Sequence, residues 1–164
     1  MFEKLNSGGE LFSYKLGATL TMEQDVLEML GNLEDEAHSP ELKALLNHHA
    51  DETRQQISNI EQAFKALGQD PDDHPCPAIQ GIDKEGKATL KKADEGLADV
   101  VILSGATETE HHEIAVYEGL ITQAEAMGNQ QIARLLQQNL EQEEAALQKA
   151  EVAAGQPTKA GQTA

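Results

Sequence analysis

Four apolar stripes at helical spacing run along this chain, and each carries a carboxylate near its centre. Glu23 lies between Leu16, Leu20, Leu27 and Leu30, while His49 and Glu52 interrupt a stripe running from Leu42 and Leu45 to Ile60 and Leu67. Glu110 and Glu113 fall between Leu103, Ala106, Tyr117 and Leu120, and Glu143 follows Leu136 and Leu140 and precedes Leu147. Apolar residues three and four apart bury one face of a helix. An ionised carboxylate alone on such a face is very costly, so these groups must be paired, protonated or bound to a metal. Several of them on facing helices point to a multivalent cation, and a carboxylate-bridged dinuclear site is the leading expectation.

The rest of the chain agrees with helix. Aromatics make up 3% of the residues, no useful stretch alternates as a strand does, and Ala, Leu, Glu, Gln and Lys dominate. The first helix is expected from Gly9 to Leu33 and the second from Pro40 to Leu67, with Ser39 as N-cap and Pro40 at the first helical position. Gly68 is a C-cap, and Pro71, Pro75 and Pro77 prevent continuation. A short helix is expected from Ala78 to Lys92, broken near Gly86. Asp94 reads as the N-cap of a third long helix reaching Met127, and Gly128-Asn129 turns the chain into a fourth that runs to Ala153. Residues 1–154 are thus expected to form the bundle, and 155–164 a disordered polar tail.

Connection lengths give the topology. Short links join helices one to two and three to four, so each pair is an antiparallel hairpin. The middle segment is long enough to cross the ~40 Å length of a helix, so helices two and three can run parallel. The expected fold is all-α: a ferritin-like four-helix bundle of two antiparallel hairpins joined by a long crossover containing a short helix.

The level of each polar residue sharpens the metal reading. Glu23, His49 and Glu52 each stand about twelve to fifteen residues from the first link, roughly 20 Å at 1.5 Å rise. Glu113 and Glu143 stand about fifteen residues from Gly128, again roughly 20 Å, and Glu110 lies one turn from Glu113 on the same face. Both sets fall near mid-bundle. A mostly carboxylate set suits iron or manganese better than structural zinc, which prefers sulfur and imidazole. The spacing His49-Ala-Asp-Glu52 puts both side chains on one face, and the fourth helix has no histidine near Glu143. Alternatives stay open at two places. Glu143, within Glu141-Gln142-Glu143-Glu144, can instead face solvent, and the polar run Glu108 to Glu113 leaves the facing of Glu110 and Glu113 uncertain by one residue. Of the neighbouring histidines His48, His111 and His112, His111 is the one expected to support the site from behind. Tyr117 is expected to pack with a hydroxyl partner, and Asp99 to be structural or at an entrance; His38 and His74 receive no role.

Charge and cysteine usage bound the setting. Among 164 residues, 29 acidic side chains against 12 basic give a formal net charge of −17, which disfavours nucleic acid and anionic membrane as partners and attracts cations. The one cysteine, Cys76, excludes an intramolecular disulfide and fits a reducing compartment. Met1 to Ser13 lacks the pattern of a secretory signal, and no run of ~18 apolar residues occurs to span a membrane. A cytoplasmic protein is expected.

Several segments carry a resemblance to a known family. They are Met22-Glu23-Gln24 with Leu27, His49-Ala-Asp-Glu52-Thr53 with Gln56, Ile57 and Glu61-Gln62-Ala-Phe64, and Cys76-Pro-Ala-Ile79-Gln-Gly81. Glu110-His111-His112-Glu113-Ile114-Ala115-Val-Tyr117 and Leu140-Glu-Gln-Glu143-Glu144 complete the set. By these the chain, from about Leu11 to Leu147, resembles the ferritin-like bacterial stress proteins typified by YciE and YciF. His112, where an aromatic is more usual, and Glu144, where a lysine often stands, depart from the pattern without removing a candidate ligand. The resemblance implies a ferritin-like bundle, often a homodimer, with a dinuclear site at Glu23, His49, Glu52, Glu110, Glu113 and Glu143 and a link to stress responses. The expected function is a non-haem protein holding two iron ions, or manganese, that reacts with oxygen or peroxide in a peroxidase-, catalase- or ferroxidase-like way. A metal-free helical stress scaffold or interaction protein is the competing class.

Overall fold

A computed structural model describes residues 4–155. Its helices are α1 (Gly8–Glu36), α2 (Pro40–Ala66), α3 (Pro77–Leu90), α4 (Ala98–Ala126) and α5 (Gln130–Ala154), with a 3₁₀ turn at Glu95–Leu97 before α4. The described residues contain no strand. Local chemistry sets most of the boundaries. The Ser7 Oγ accepts from the Glu10 amide at 3.1 Å to start α1, and the Ser39 Oγ accepts from the Leu42 amide at 3.2 Å to start α2, with Pro40 just inside. After α2 the chain turns through Gly68 at φ +70°, a left-handed conformation that a side chain would strain. Gly128, at φ +75°, makes the matching turn before Asn129, whose side chain caps α5 by accepting from the Ile132 amide at 3.2 Å.

Helices α1 and α2 pack as one antiparallel hairpin and α4 and α5 as another; α2 lies against α5 and α1 against α4. The carboxylate of Asp99, in the first turn of α4, accepts from the backbone amides of His38 (2.7 Å) and Ser39 (3.0 Å). This latch holds the start of α4 beside the start of α2, so the two helices run parallel, and Asp99 has the structural role expected of it. The crossover returns along the outside of the bundle, with α3 packed on α4 and α1. It first presses against α1 at Gly17, where the His74 amide donates to the Gly17 carbonyl at 3.2 Å and the His74 ring stacks on Tyr14. The fold is thus the ferritin-like arrangement read from the connection lengths.

Two details differ from expectation. Helix α3 continues through Gly86 without a break, because a helical glycine costs only about 1 kcal/mol and contacts with α4 and α1 hold the segment straight. Asp94 does not cap the long helix: it precedes the 3₁₀ turn, its side chain makes no cap bond, and α4 begins at Ala98. Gly155 caps α5, while the remainder of the expected tail lies outside the described residues.

Apolar layers close the bundle on either side of a polar middle. Phe12, Leu16, Ile60, Phe64, Leu120, Ile132 and Leu136 fill one half, and Leu30, Leu42, Leu46, Ile102 and Leu103 the other. Burying such side chains stabilises the fold by about 1.5–3 kcal/mol each, and it is this that holds the polar belt between them out of water.

Candidate metal centre

The polar belt lies where the stripes place it. Glu23 on α1, His49 on α2, Glu110 and Glu113 on α4 and Glu143 on α5 are all buried, and Glu23, Glu113 and Glu143 are at 0% exposure. The facing left open for Glu110, Glu113 and Glu143 is therefore inward. One ligand atom from each of His49, Glu110, Glu113 and Glu143 lies within 4.8 Å of all the others. Oxygen and nitrogen ligands sit about 2.0–2.2 Å from a transition-metal ion, so this spread is little more than the width of one coordination shell. These four side chains can hold a metal ion.

His49 is the hinge of the cluster. Its Nε2 lies 3.2 Å from Glu110 Oε1 and 3.6 Å from Glu143 Oε2, while its Nδ1 is 3.3 Å from Glu52 Oε2. Burial opposes charge on this imidazole, but the adjoining Glu110 and Glu52 carboxylates outweigh it and hold its pKa well above the usual value. Glu52 stands at the edge rather than the centre. Only half-buried, it reaches His48 Nε2 at 3.2 Å and Lys149 Nζ at 3.7 Å as well as His49. The His49 contact, followed by the nearby positive groups, lowers its pKa despite partial burial.

The central carboxyls behave oppositely. Burial pushes Glu23 up to about 7, against the pull of its Tyr117 hydrogen bond and of His49. Burial, then the charges of Glu143 and Glu23, drive Glu113 well above the ordinary carboxylate range. Glu143 is also driven well up, by burial and then by the adjoining Glu110 carboxyl and Glu23. Buried oxygens with no hydrogen-bond partner among the described residues remain on Glu23 (Oε2), Glu110 (Oε2), Glu143 (Oε2) and Glu113 (both). Each such group would cost about 1–3 kcal/mol, so the donor set fits a cation or shared protons and little else.

A second tier of polar side chains orients the first. The Tyr117 hydroxyl donates to Glu23 Oε1, and the Gln56 amide donates to Glu143 Oε1. Asn59 donates to Asn139 at 2.7 Å, and the Asn139 amide donates to the Tyr117 hydroxyl at 3.0 Å and to the Gln56 carbonyl at 3.2 Å. The network ties all four long helices together around the carboxyls. Tyr117 has the hydroxyl partner expected of it. The roles of Gln56, Asn59 and Asn139 were not read from the sequence, yet a signal existed: Gln56 and Asn59 continue the His49 stripe, and Asn139 sits one turn before Glu143. His111 is corrected. It is exposed and supports nothing, because the inward face of α4 passes through positions 110, 113 and 117. His112 is half-buried, its Nε2 without a hydrogen-bond partner among the described residues, and burial followed by the Lys15 charge lowers its pKa.

Comparison with known proteins agrees with this architecture. The family described as "Domain of unknown function (DUF892)" matches residues 7–162. Protein YciF of Escherichia coli K12 is 28% identical over 138 residues, covering 83% of each chain. Among solved structures, YcfI from Rhodopseudomonas palustris superposes with a TM-score of 0.89 at 35% identity, over 92% of this chain and 98% of that one. The crystal structure of the E. coli stress protein YciF gives a TM-score of 0.86 at 26% identity, over 92% and 96%. A Xanthomonas campestris protein shares the fold alone, at a TM-score of 0.66 and 23% identity over 90% of this chain and 93% of that one. The chain belongs to the DUF892 family, the group of YciE- and YciF-type proteins.

Proposed function

We propose that this protein is a non-haem dinuclear carboxylate protein that binds two iron or manganese ions and consumes oxygen or peroxide in a stress response. The observation that carries the reading is the convergence of His49, Glu110, Glu113 and Glu143 around buried, unpartnered carboxylate oxygens. Glu23, anchored by Tyr117, and Glu52, which orients His49, complete the ligand set. When bound, such a metal supplies the electron-transfer chemistry that protein side chains lack. The chain's own groups do the rest. Glu23, Glu113 and Glu143 hold protons until a cation displaces them, Gln56 and Tyr117 keep the carboxylates from swinging, and the apolar layers exclude bulk water. The same reading takes the protein to be a homodimer and, in keeping with its single cysteine, cytoplasmic.

One observation favours a metal-free scaffold instead: an imidazolium at His49, between Glu110, Glu143 and Glu52, offsets part of the buried negative charge. Metal analysis decides between them. Protein purified without chelator, or reconstituted with iron or manganese, is expected to retain about two ions per chain and release protons as it binds them. Loaded protein should then react with peroxide faster than free metal does. If no ions remain after reconstitution, the scaffold reading stands; if ions bind without faster peroxide reaction, the chemistry is withdrawn and binding kept.

A further inference from the structure

A small cleft leads from the surface to the buried cluster between α2, α4 and α5. Its floor is His49 and Glu110, both buried. Its walls are aliphatic, among them Leu45 on α2, Ala106 on α4 and Ala146 on α5. Its mouth is formed by His48 and Lys149, whose side chains are 60% and 43% exposed, with Glu52 held between them. The cleft offers about 20 Å³ to the centre of a water-sized molecule. A single water needs about 10–15 Å³, so the cleft has room for little more than one water-sized molecule and none for a branched organic group. The alanines are what leave the gap, since a larger side chain at Ala106 or Ala146 would fill it. The only charged side chains lining the cleft outside its floor are at the mouth, where Lys149 and His48 both contact the Glu52 Oε1.

We infer that this cleft is the port by which the oxidant reaches the site, that its bore restricts the substrate to species the size of dioxygen or hydrogen peroxide, and that the Glu52–Lys149 pair forms its gate. The inference rests on the metal-centre reading above and adds to it a route of access and a size limit on the oxidant. Bulk is excluded by the walls before any chemistry begins. Organic hydroperoxides with branched substituents are refused at Ala106 and Ala146, not at the ligands. Lys149 and His48 are exposed side chains in contact with Glu52, so rotation of these groups is enough to open the mouth.

Nitric oxide tests this directly, being neutral, diatomic and a spectroscopic reporter of ferrous iron. Iron stoichiometry would be measured first, and then the rate of nitric oxide binding to iron-loaded protein by stopped flow. Ala146→Leu is expected to slow binding about tenfold or more at unchanged iron content, as added bulk raises the barrier to passage. Lys149→Ala, at the mouth, is expected to speed it. The opposite signs matter, because a variant that merely loosened the bundle would let the probe in faster. Ala106→Leu, at a half-buried position, provides a second block if Ala146→Leu does not fold. Hydrogen peroxide should also outpace tert-butyl hydroperoxide in the parent protein, with the gap narrowing in Lys149→Ala. Iron retained with nitric oxide rates unmoved by either block would overturn the port while leaving the metal centre intact. Protein that retains no iron would remove both.

Discussion

The Tyr117 hydroxyl donates to Glu23 across the α1–α4 interface while accepting from the Asn139 amide of α5 at 3.0 Å. One phenol oxygen thus fixes a carboxylate on one helix through a neighbour on another, at the level where the candidate ligands meet. Its own ionisation is pushed well above the usual tyrosine range, by burial first and then by the Glu23 and Glu143 charges, so it stays a donor at all working pH values.

Tyr117→Phe keeps the ring in the core but leaves Glu23 with two unpartnered oxygens and Asn139 with one lost acceptor. Metal-free protein should lose about 1–3 kcal/mol, which for a chain of this size lowers Tm by roughly 3–10 °C. Thermal melts followed by circular dichroism would read it. A Tm equal to or above the parent's would show that the hydroxyl does not hold Glu23.

The pH dependence of the metal-free protein follows from the raised carboxyls. Glu23 titrates near 4.5 unfolded and about 7 folded, so between these values the native state binds more protons than the unfolded one. Its stabilising contribution is complete below about pH 4.5 and is lost as pH rises through about 7; Glu113, Glu143 and His49, all raised, act in the same direction. Glu52, lowered, works the other way and gives up its share only as pH falls below its ordinary range. Chelator-treated protein should therefore melt several degrees lower at pH 8 than at pH 5.5. A flat or rising Tm over that interval would contradict the buried protonated carboxyls.

Glu113→Gln separates stability from function. Both oxygens of Glu113 are buried and unpartnered, and its neighbours Glu143 and Glu23 are acidic. An amide of the same shape is neutral without having to hold a proton and offers N–H groups to those carboxyls. Metal-free protein at pH 7.5 should be unchanged or about 1 kcal/mol more stable, while metal affinity falls at least about tenfold. Denaturant melts beside metal analysis check both halves. Undiminished metal affinity would take Glu113 out of the ligand set.

Gly17→Ala probes the crossover. A Cβ at this position would stand 2.2 Å from the Asp72 carbonyl oxygen and 2.7 Å from His74 Cδ2, so backbone must move. The His74–Gly17 hydrogen bond and the Tyr14–His74 stack should both loosen. The expected cost is about 1–3 kcal/mol in urea unfolding, with helical content preserved. Full stability would mean that the segment before α3 does not depend on its seat against α1.

The sequence carried most of this because burial at helical period is a local property. Glu23 and His49 could be placed inward from their own neighbours, whereas Glu113 and Glu143 lie in polar runs that left their facing open, and equal distances from two short loops put all four on one level. What escaped needed partners from elsewhere in the chain. Glu52 shares the stripe of His49, but its half-exposed position between His48 and Lys149 depends on where α5 packs. Gln56, Asn59 and Asn139 were visible as polar residues on apolar faces, yet amides there have many possible partners and only docking selects them. His111 was misplaced because residues adjacent in sequence are about 100° apart on a helix, and one step carries a side chain from core to solvent. Asp94 failed for a local reason: a good capping residue stood one turn too early.

The division of the site between hairpins has a kinetic consequence. Glu23, His49 and Glu52 come from α1 and α2, and Glu110, Glu113 and Glu143 from α4 and α5. Each hairpin forms through contacts close in sequence and can fold quickly, whereas bringing the two together closes the long crossover and is the slower event. That final step also crowds like charges, so neither half contains a site and each resists the other. Divalent cations present during refolding should therefore accelerate the docking phase and leave hairpin formation untouched. On the metal-centre reading, the surface that would hold the cation exists only once the two hairpins have docked.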